Sequence, residues 1–515
     1  MRARAVLARH GWLIAIAAAY LYVFPYFPSI HSANELPRVY LARAIVDDHT
    51  FAIDTGVKRW GSTGDVSGYA HHKYSNKSPG SSLLAVPALA VTRVLVGDPS
   101  LTTSVWVCRV FAGILPALAF LWLLWGYLAR FAPDPDVRRL VVIAYALGSI
   151  AMTYTILFYS HQLSAVCIGS AWILAHDVVD RKRGLVAMGV AGALAGCAPL
   201  VDYQAAFAGI PVAAWVVVRM WGWPRAEMLR AIGAAAAGAA GPIALLLAYH
   251  TACFGSPWRT GYAVSETYAG YHQQGFLGMT YPHAAAIVNT TVSVDNGLFA
   301  LAPWLLLAIP GFRTLWRGGE RGVAAVGASV GVMFLLFGWS LTFWRAGWEV
   351  GPRYITVMVP FLLPAIAAQL QAWRARPTAL GVAAGAIAVG VAIYALTSAT
   401  FPYWPAQPTS SAPFPNPLYE VTLRLVGDGL CAPNLAAALG VTGLAGLLPY
   451  LALVGGLVGF AIARVAGMRG LAMAVAIAAA VIGAYGLVPR GGVAAEQAYT
   501  TVVRPAVADP WAAQP

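Results

Sequence analysis

Apolar residues run along this chain in blocks of about 18, the length a helix needs to cross a bilayer. Such blocks lie near 11–28, 110–128, 140–159, 162–179, 184–201, 205–221, 231–252, 297–311, 322–343, 354–372, 378–397, 438–463 and 470–488, which predicts thirteen spanning helices. A fourteenth segment, SSLLAVPALAVTRVLVG at 81–97, is short, interrupted by Pro87 and charged at Arg93. Whether it spans decides the side on which every later loop lies. With 81–97 on the surface, 19 of the 33 Lys and Arg residues collect on the inner side, all in short loops. If it spans, 16 of those 19 move outside. Short loops orient membrane proteins through their Lys and Arg bias, so 81–97 is expected to be an interfacial or re-entrant helix. The N-terminus then lies inside and the C-terminus outside. Every long loop falls on the outer face: 29–109, 253–296, 344–353, 398–437 and the tail from 489. The pattern describes an all-α polytopic membrane protein, with one transmembrane domain over 1–515, a long first outer loop at 29–109 and a Pro-rich outer loop at 398–437.

Composition agrees. Of 515 residues, 59% are hydrophobic and 10% charged, against about 25% charged in soluble domains. The net charge of +13 raises the idea of a nucleic-acid partner. The basic residues come in short clusters between apolar blocks, however, so orientation in the membrane accounts for them and no nucleic acid is expected. The N-terminal MRARAVLARHGWLIAIAAAYLYVFPYFP has the basic start and apolar core of a signal peptide. It lacks a small-residue cleavage site and is expected to stay as the first helix. Five cysteines, with no CxxC pair, read as small buried residues; Cys253 and Cys431 are the one disulfide pairing worth considering. No inverted internal repeat is visible, which counts against a transporter or flippase.

The polar side chains concentrate where the long loops are. The first outer loop carries His31, Glu35, Asp47, Asp48, His49, Asp54, Lys58, Asp65, His71, His72, Lys73 and Lys77. Within it, NELPRVYLARAIVDD sets Leu36, Val39, Tyr40, Ala44 and Val46 at near-helical spacing, as in a helix lying on a membrane surface. A solvated loop would need polar residues too, so content alone does not separate structure from chemistry. Elsewhere His161, Asp202, Tyr203, Trp348, Glu349, Arg353 and Tyr354 fall near the outer ends of spans. Acidic groups at membrane depth are costly and often functional, which singles out Asp202. Interfacial anchoring and a local Glu349 ion pair are the structural alternatives.

The order of these segments resembles a known class. A first span, then Asn34-Glu35, a helix LARAIVDDHTFAID, and HHKYSNKSPGSSLLAVP closing on Lys77-Ser78-Pro79-Gly80 is similar to bacterial relatives of dolichyl-phosphate-mannose protein mannosyltransferases and aminoarabinose lipid A transferases, membrane glycosyltransferases of the GT-C class. GPRYITVMVPFLLPAIA at 351–367 resembles that class's late RY-L-P-x-x-P span. The resemblance implies transfer of a sugar from a polyprenyl-phosphate donor to an acceptor hydroxyl of a lipid, glycan or protein, usually with inversion. It places the reaction at the outer face of a bacterial inner membrane. An acid of the first loop would serve as base, and cations would receive the departing phosphate. Glu35 is the expected base and Lys77, Arg353 and Arg109 the expected phosphate ligands. Asn34, His161, Asp202, Tyr203, Trp348, Glu349 and Tyr354 are candidates for the pocket. This chain departs from the pattern at Asn34, where the class has an acid. Either Glu35 acts alone, or Asp54 or Asp65 replaces the missing carboxylate. Some members use a divalent ion and others do not; no spacing here defines a metal site. A surface-polysaccharide polymerase or ligase is the nearer alternative, and a transporter the more distant one.

Overall fold

The computed structural model describes residues 2–23 and 33–510. His31 and the last part of the first apolar block, 24–28, lie outside the described residues. The protein is an all-α polytopic membrane protein. Among the described residues, eight helices are long and apolar enough to cross a membrane, and nine if the pair Pro135–Leu147 and Ile150–Ile156, bent by 59°, is one span. The first and fifth predicted segments form shorter apolar helices, His10–Val23 and Leu185–Val201. The last two predicted segments fall within one helical stretch, Gly443–Tyr485, broken at Gly467, whose φ of 71° is open to glycine. Contacts show that the stretch doubles back there. Tyr450 donates to the Ala395 carbonyl at one end, and Arg374 reaches the Val465 carbonyl at the other. Beyond the break the chain returns, so that Tyr419 donates to the Ile482 carbonyl.

The arginine-rich connections meet at one end of this bundle. Arg130 pairs with Asp177 and Asp180, and Arg219 with Asp180 at 2.8 Å. Arg374 pairs with Asp134 at 2.6 Å and Arg464 with Asp136 at 3.0 Å. Loops expected on one side from charge counting are therefore neighbours in space. The long loops assemble at the opposite end. Arg345 binds Asp295 at 2.5 Å, its amide donates to the Pro408 carbonyl, and Tyr403 reaches back to Glu35. The C-terminal tail joins them through Arg424 and Glu496.

Two features of the first loop differ from expectation. The helix Leu36–Arg43 does not lie amphipathically on a surface; its residues from Pro37 to Arg43 are all buried. Tyr40 and Leu41 pack with Tyr74, Tyr249 and Phe254 on one side, while Val39 and Ala42 pack with Ala85, Leu89 and Cys108 on another. The loop also contains a two-stranded hairpin, β1 (Val66–Tyr69) and β2 (His72–Ser75), paired from Val66–Ser75 to Tyr69–His72. Its turn residues Ala70 and His71 both have positive φ, as a tight two-residue hairpin turn requires. The ambiguous segment forms the helix Gly80–Val96 and runs beside Leu36–Arg43 and its extension. Ser82 donates to the Arg38 carbonyl near one end, and Arg93 meets Asp47 near the other. All five cysteines are free thiols.

The Lys77-Ser78-Pro79-Gly80 turn docks on the end of the Leu185–Val201 helix. Ser78 donates to the Leu200 carbonyl at 2.6 Å, and a Cβ on Gly80 would sit 2.6 Å from that same oxygen. Overpacking of this kind costs about 1–3 kcal/mol. Gly80→Ala is expected to lower the melting temperature of the detergent-purified protein by several degrees. Gly209→Ala, where a Cβ meets nothing within 4 Å, is expected to leave it unchanged or slightly raised.

Candidate functional site

A polar cavity of about 350 Å³ opens among the assembled loops. The first loop contributes Asn34, Asp65 and Lys77 to its wall, the second Tyr268 and His272, the third Trp348, Arg353 and Tyr354, and the fourth Gln407. Beside it lies an apolar cavity of about 280 Å³, lined by Tyr203, Phe207, Leu277, Met279 and Phe337 among others. His272, Phe343 and Tyr354 belong to both walls, so the cavities adjoin. Phe207 and Phe337 come from the spanning helices Tyr203–Met220 and Arg321–Ser340. A charged chamber thus abuts an apolar one that reaches into the bundle.

The hairpin explains how Asp65 and Lys77 meet. Pairing of β1 with β2 brings the two flanking residues together, and the Asn76 amide donates to the Asp65 carbonyl. The Lys77 ammonium then lies 2.8 Å from Asp65 Oδ1, both side chains buried. The Asn76 side chain donates to the same oxygen at 3.3 Å. Burial pushes the Lys77 pKa down to about 8, with Arg353 nearby adding to the effect against the pull of Asp65. Burial works to raise Asp65, but Lys77, Arg353 and Asn76 together hold it below the ordinary carboxylate value. His272 stacks on Tyr262 at 4.3 Å. Burial, reinforced by Lys77, lowers its pKa to about 4, which keeps it neutral at neutral pH.

Arg353 stands across the cavity. It donates to the Ala346 carbonyl at 2.8 Å and lies over the rings of Tyr159 and Tyr354. Glu349 is buried at 3.2 Å from its Nε and is not part of the cavity wall. Burial pushes the Glu349 pKa up to about 8 in spite of Arg353 and Arg345. Behind the wall a chain of polar contacts runs from Asn34. Arg38 donates to the Asn34 side chain at 3.2 Å and to Ser160 Oγ at 3.0 Å. Ser160 donates to Asp202 at 3.1 Å, and Asp202 holds His161 at 2.6 Å. His161 and Asp202 are therefore a buried pair outside the cavity. Tyr203 lines the apolar cavity and bonds His250 at 2.8 Å.

Glu35 occupies a different place from the one its motif suggested. Its carboxylate receives four donors: Arg109 Nε at 2.9 Å, Arg109 Nη2 at 2.9 Å, the Tyr403 hydroxyl at 2.7 Å and the Phe158 amide at 2.6 Å. It is fully buried and does not line the cavity. A carboxylate so engaged has no lone pair left for an acceptor proton. Arg109, expected among the phosphate ligands, is likewise committed to this pair. Asp54 lies on the surface, bonded to the Lys73 amide and to His72 at 2.7 Å, away from the cavity residues. Of the three first-loop acids considered, Asp65 is the one in the cavity wall. Among the described residues, no three His, Cys, Asp or Glu side chains cluster as a metal ligand set. The sequence offered no signal for Tyr403, Tyr268, His272 and Gln407, since single polar residues in long loops carry no spacing. Arg38 left one: a charge set among apolar neighbours in a short helix.

No protein-family model and no curated protein matches this chain. Among solved structures it is similar to ArnT from Cupriavidus metallidurans bound to undecaprenyl phosphate, with 16% identity, 96% of this chain and 79% of that chain covered, and a TM-score of 0.53. The same protein in the apo state matches with 15% identity over 93% of this chain and 78% of that one, at a TM-score of 0.48. The archaeal oligosaccharyltransferase AglB from Archaeoglobus fulgidus follows at 14% identity, 76% and 56% coverage and a TM-score of 0.41. The first of these shows a shared fold, in accord with the GT-C resemblance of the sequence.

Removing one member of a buried ion pair leaves a charge uncompensated and costs about 3–5 kcal/mol. Glu35→Gln is expected to destabilise the protein on that scale in thermal or denaturant unfolding. Asp54→Asn, at an exposed pair, is expected to change stability by less than about 1 kcal/mol. Equal effects in the two variants would mean that Glu35 does not hold the loops together.

Proposed function

We propose that this protein is a membrane glycosyltransferase that moves a sugar from a polyprenyl-phosphate donor to an acceptor hydroxyl. The observation that carries the reading is the joined pair of cavities, one charged and loop-built, the other apolar and formed between the second outer loop and the ends of spanning helices. An amphiphile with a phosphosugar head and an isoprenoid tail matches that division. Lys77 and Arg353 take the phosphate, as a point charge and a planar fork respectively. Trp348 offers an aromatic face and Asn34 an amide to the sugar. The shared fold with ArnT bound to undecaprenyl phosphate supports this reading.

In the reaction, Asp65 accepts the proton of the acceptor hydroxyl. The oxygen attacks the anomeric carbon, the bond from that carbon to the phosphate oxygen breaks, and its electron pair leaves with the polyprenyl phosphate. Lys77 and Arg353 stabilise the charge that develops there. Attack opposite the leaving phosphate inverts the anomeric centre. Glu35 and Arg109 act at one remove, fixing the backbone that carries Asn34. Glu349 lies against Arg353, and the Asp202–His161 pair against the Ser160–Arg38 link to Asn34. To a divalent ion the cavity wall offers one carboxylate, Asp65, which an ammonium already holds. The reaction belongs, on this reading, to the outer face of a bacterial inner membrane, because the basic connections lie at the opposite end of the bundle.

Purified protein supplied with radiolabelled undecaprenyl-phosphate sugars and a lipid or glycan acceptor should transfer label. Lys77→Met and Arg353→Met should raise the donor KM, and Asp65→Asn should lower kcat, each by about 100-fold or more. Glu35→Gln should lose no more activity than its loss of folded protein explains. If Asp65→Asn retains transfer, the base lies elsewhere.

Lys77 also sets a pH signature. It is cationic below its pKa of about 8 and loses its charge above it, so donor affinity should fall as pH rises past that value. Bound phosphate raises the pKa of Lys77 in the complex, so the fall begins near the free value and levels off above the higher one. Donor KM measured between about pH 6 and 10 reads this directly, and Lys77→Arg should remove the break because Arg stays charged. Independently, a cysteine introduced at Gly270 should react with an impermeant thiol reagent from outside intact cells. Reaction only from the cytoplasmic side would reverse the orientation.

A further inference from the structure

The contact between Asp65 and Lys77 has a consequence for the order of events. Resting on the donor reading above, the two groups assigned to acceptor and donor are bonded to each other. Lys77 Nζ lies 2.8 Å from Asp65 Oδ1, inside the same cavity wall. Asn76 also bonds that oxygen at 3.3 Å, and Tyr262 lies 5.4 Å beneath the ammonium. A phosphate entering the cavity needs the ammonium that Asp65 holds. An acceptor hydroxyl needs the carboxylate that Lys77 holds. The two demands are met by one exchange.

We propose that Asp65 is a placeholder for the donor phosphate: the phosphate displaces it from Lys77, and only then is its carboxylate free to take the acceptor proton. No covalent change is involved in the exchange itself; one anion replaces another on the same ammonium. Once released from its ammonium partner, Asp65 regains basicity, because an adjacent cation is what held its proton affinity down. Donor binding therefore switches on acceptor activation. Arg353, across the cavity, gives the phosphate a second cation that Asp65 does not occupy, so a phosphate gripped by both cations outcompetes the single contact that Asp65 makes. The site is closed to an acceptor alone until a donor is bound.

The test is direct binding of undecaprenyl phosphate in detergent micelles, read by calorimetry. Asp65→Asn removes the competing anion, so it should bind this lipid about tenfold more tightly than wild type while losing transfer. Lys77→Met combined with Asp65→Asn should show no gain over Lys77→Met alone. Equal or weaker binding by Asp65→Asn, with wild type binding and transferring normally, overturns the exchange and leaves the donor reading intact. Failure of wild type to bind the lipid or to transfer sugar removes both. Wild-type kinetics give a second measurement that needs no variant. An acceptor analogue lacking the reactive hydroxyl should inhibit uncompetitively against donor, the mark of donor-first binding. A noncompetitive pattern would mean random binding and would end the proposal.

Discussion

A guanidinium and a carboxylate held wholly away from water tolerate little error in placement, and Arg109 and Glu35 are such a pair. Desolvating either ion alone is costly, and only close geometry with every remaining donor and acceptor used recovers that cost. The carboxylate meets this condition with four donors from three separate parts of the chain. Residue 35 belongs to the first loop, 109 to a spanning helix, 158 to the bend before another, and 403 to a late loop. One buried ion pair therefore fixes the mutual positions of segments that hydropathy alone would leave free to slide.

The cavity depends on that fixation. Asn34 enters the wall beside Glu35 and is held by Arg38, which continues through Ser160 to Asp202 and His161. On the other side, the loop that carries Trp348 and Arg353 pairs with the loop that carries Tyr403, through the amides of Arg345 and Glu349. A short hairpin then supplies the remaining two groups, because antiparallel pairing of β1 and β2 brings Asp65 and Lys77 to one point. The polar chamber is thus assembled from four loops, none of which could form it alone. The apolar chamber draws on both kinds of segment, with Phe207 and Phe337 from two spanning helices and Leu277, Met279 and Phe343 from the loops.

Much of the fold was legible in advance. A spanning helix needs only a local run of apolar residues, and most predicted segments coincide with an apolar helix among the described residues, whereas 297–311 falls in three short pieces, Leu298–Leu301, Pro303–Leu307 and Ala308–Arg317. The doubling back at Gly467 falls between the last two predicted segments. Charge counting grouped the short basic loops correctly, because ion pairs among Arg130, Arg219, Arg374 and Arg464 and their aspartates bring them together. The hairpin was not legible. Its strands, VSGY and HKYS, are four residues each and lack an apolar alternation, and the turn uses Ala70 and His71 rather than the usual glycine or asparagine. The burial of Leu36–Arg43 on all sides was likewise hidden, since apolar spacing reveals one face and not a second partner.

The candidate site divides in the same way. The first-loop acids and basic residues could be named from sequence, and a motif resemblance favoured Glu35 among them. Which acid faces open space could not be read there. Glu35 is occupied because its partners come from 74 and 368 residues away, and Asp65 is in the wall because a hairpin turns it toward Lys77. The sequence by itself determined what is additive along the chain: membrane residence, the positions of the helices, and the end of the bundle at which each loop gathers. Only the tertiary structure decided which charges are neutralised and which line the cavity, because ion pairing is a property of distance in space and burial, and neither is encoded by any local stretch of residues.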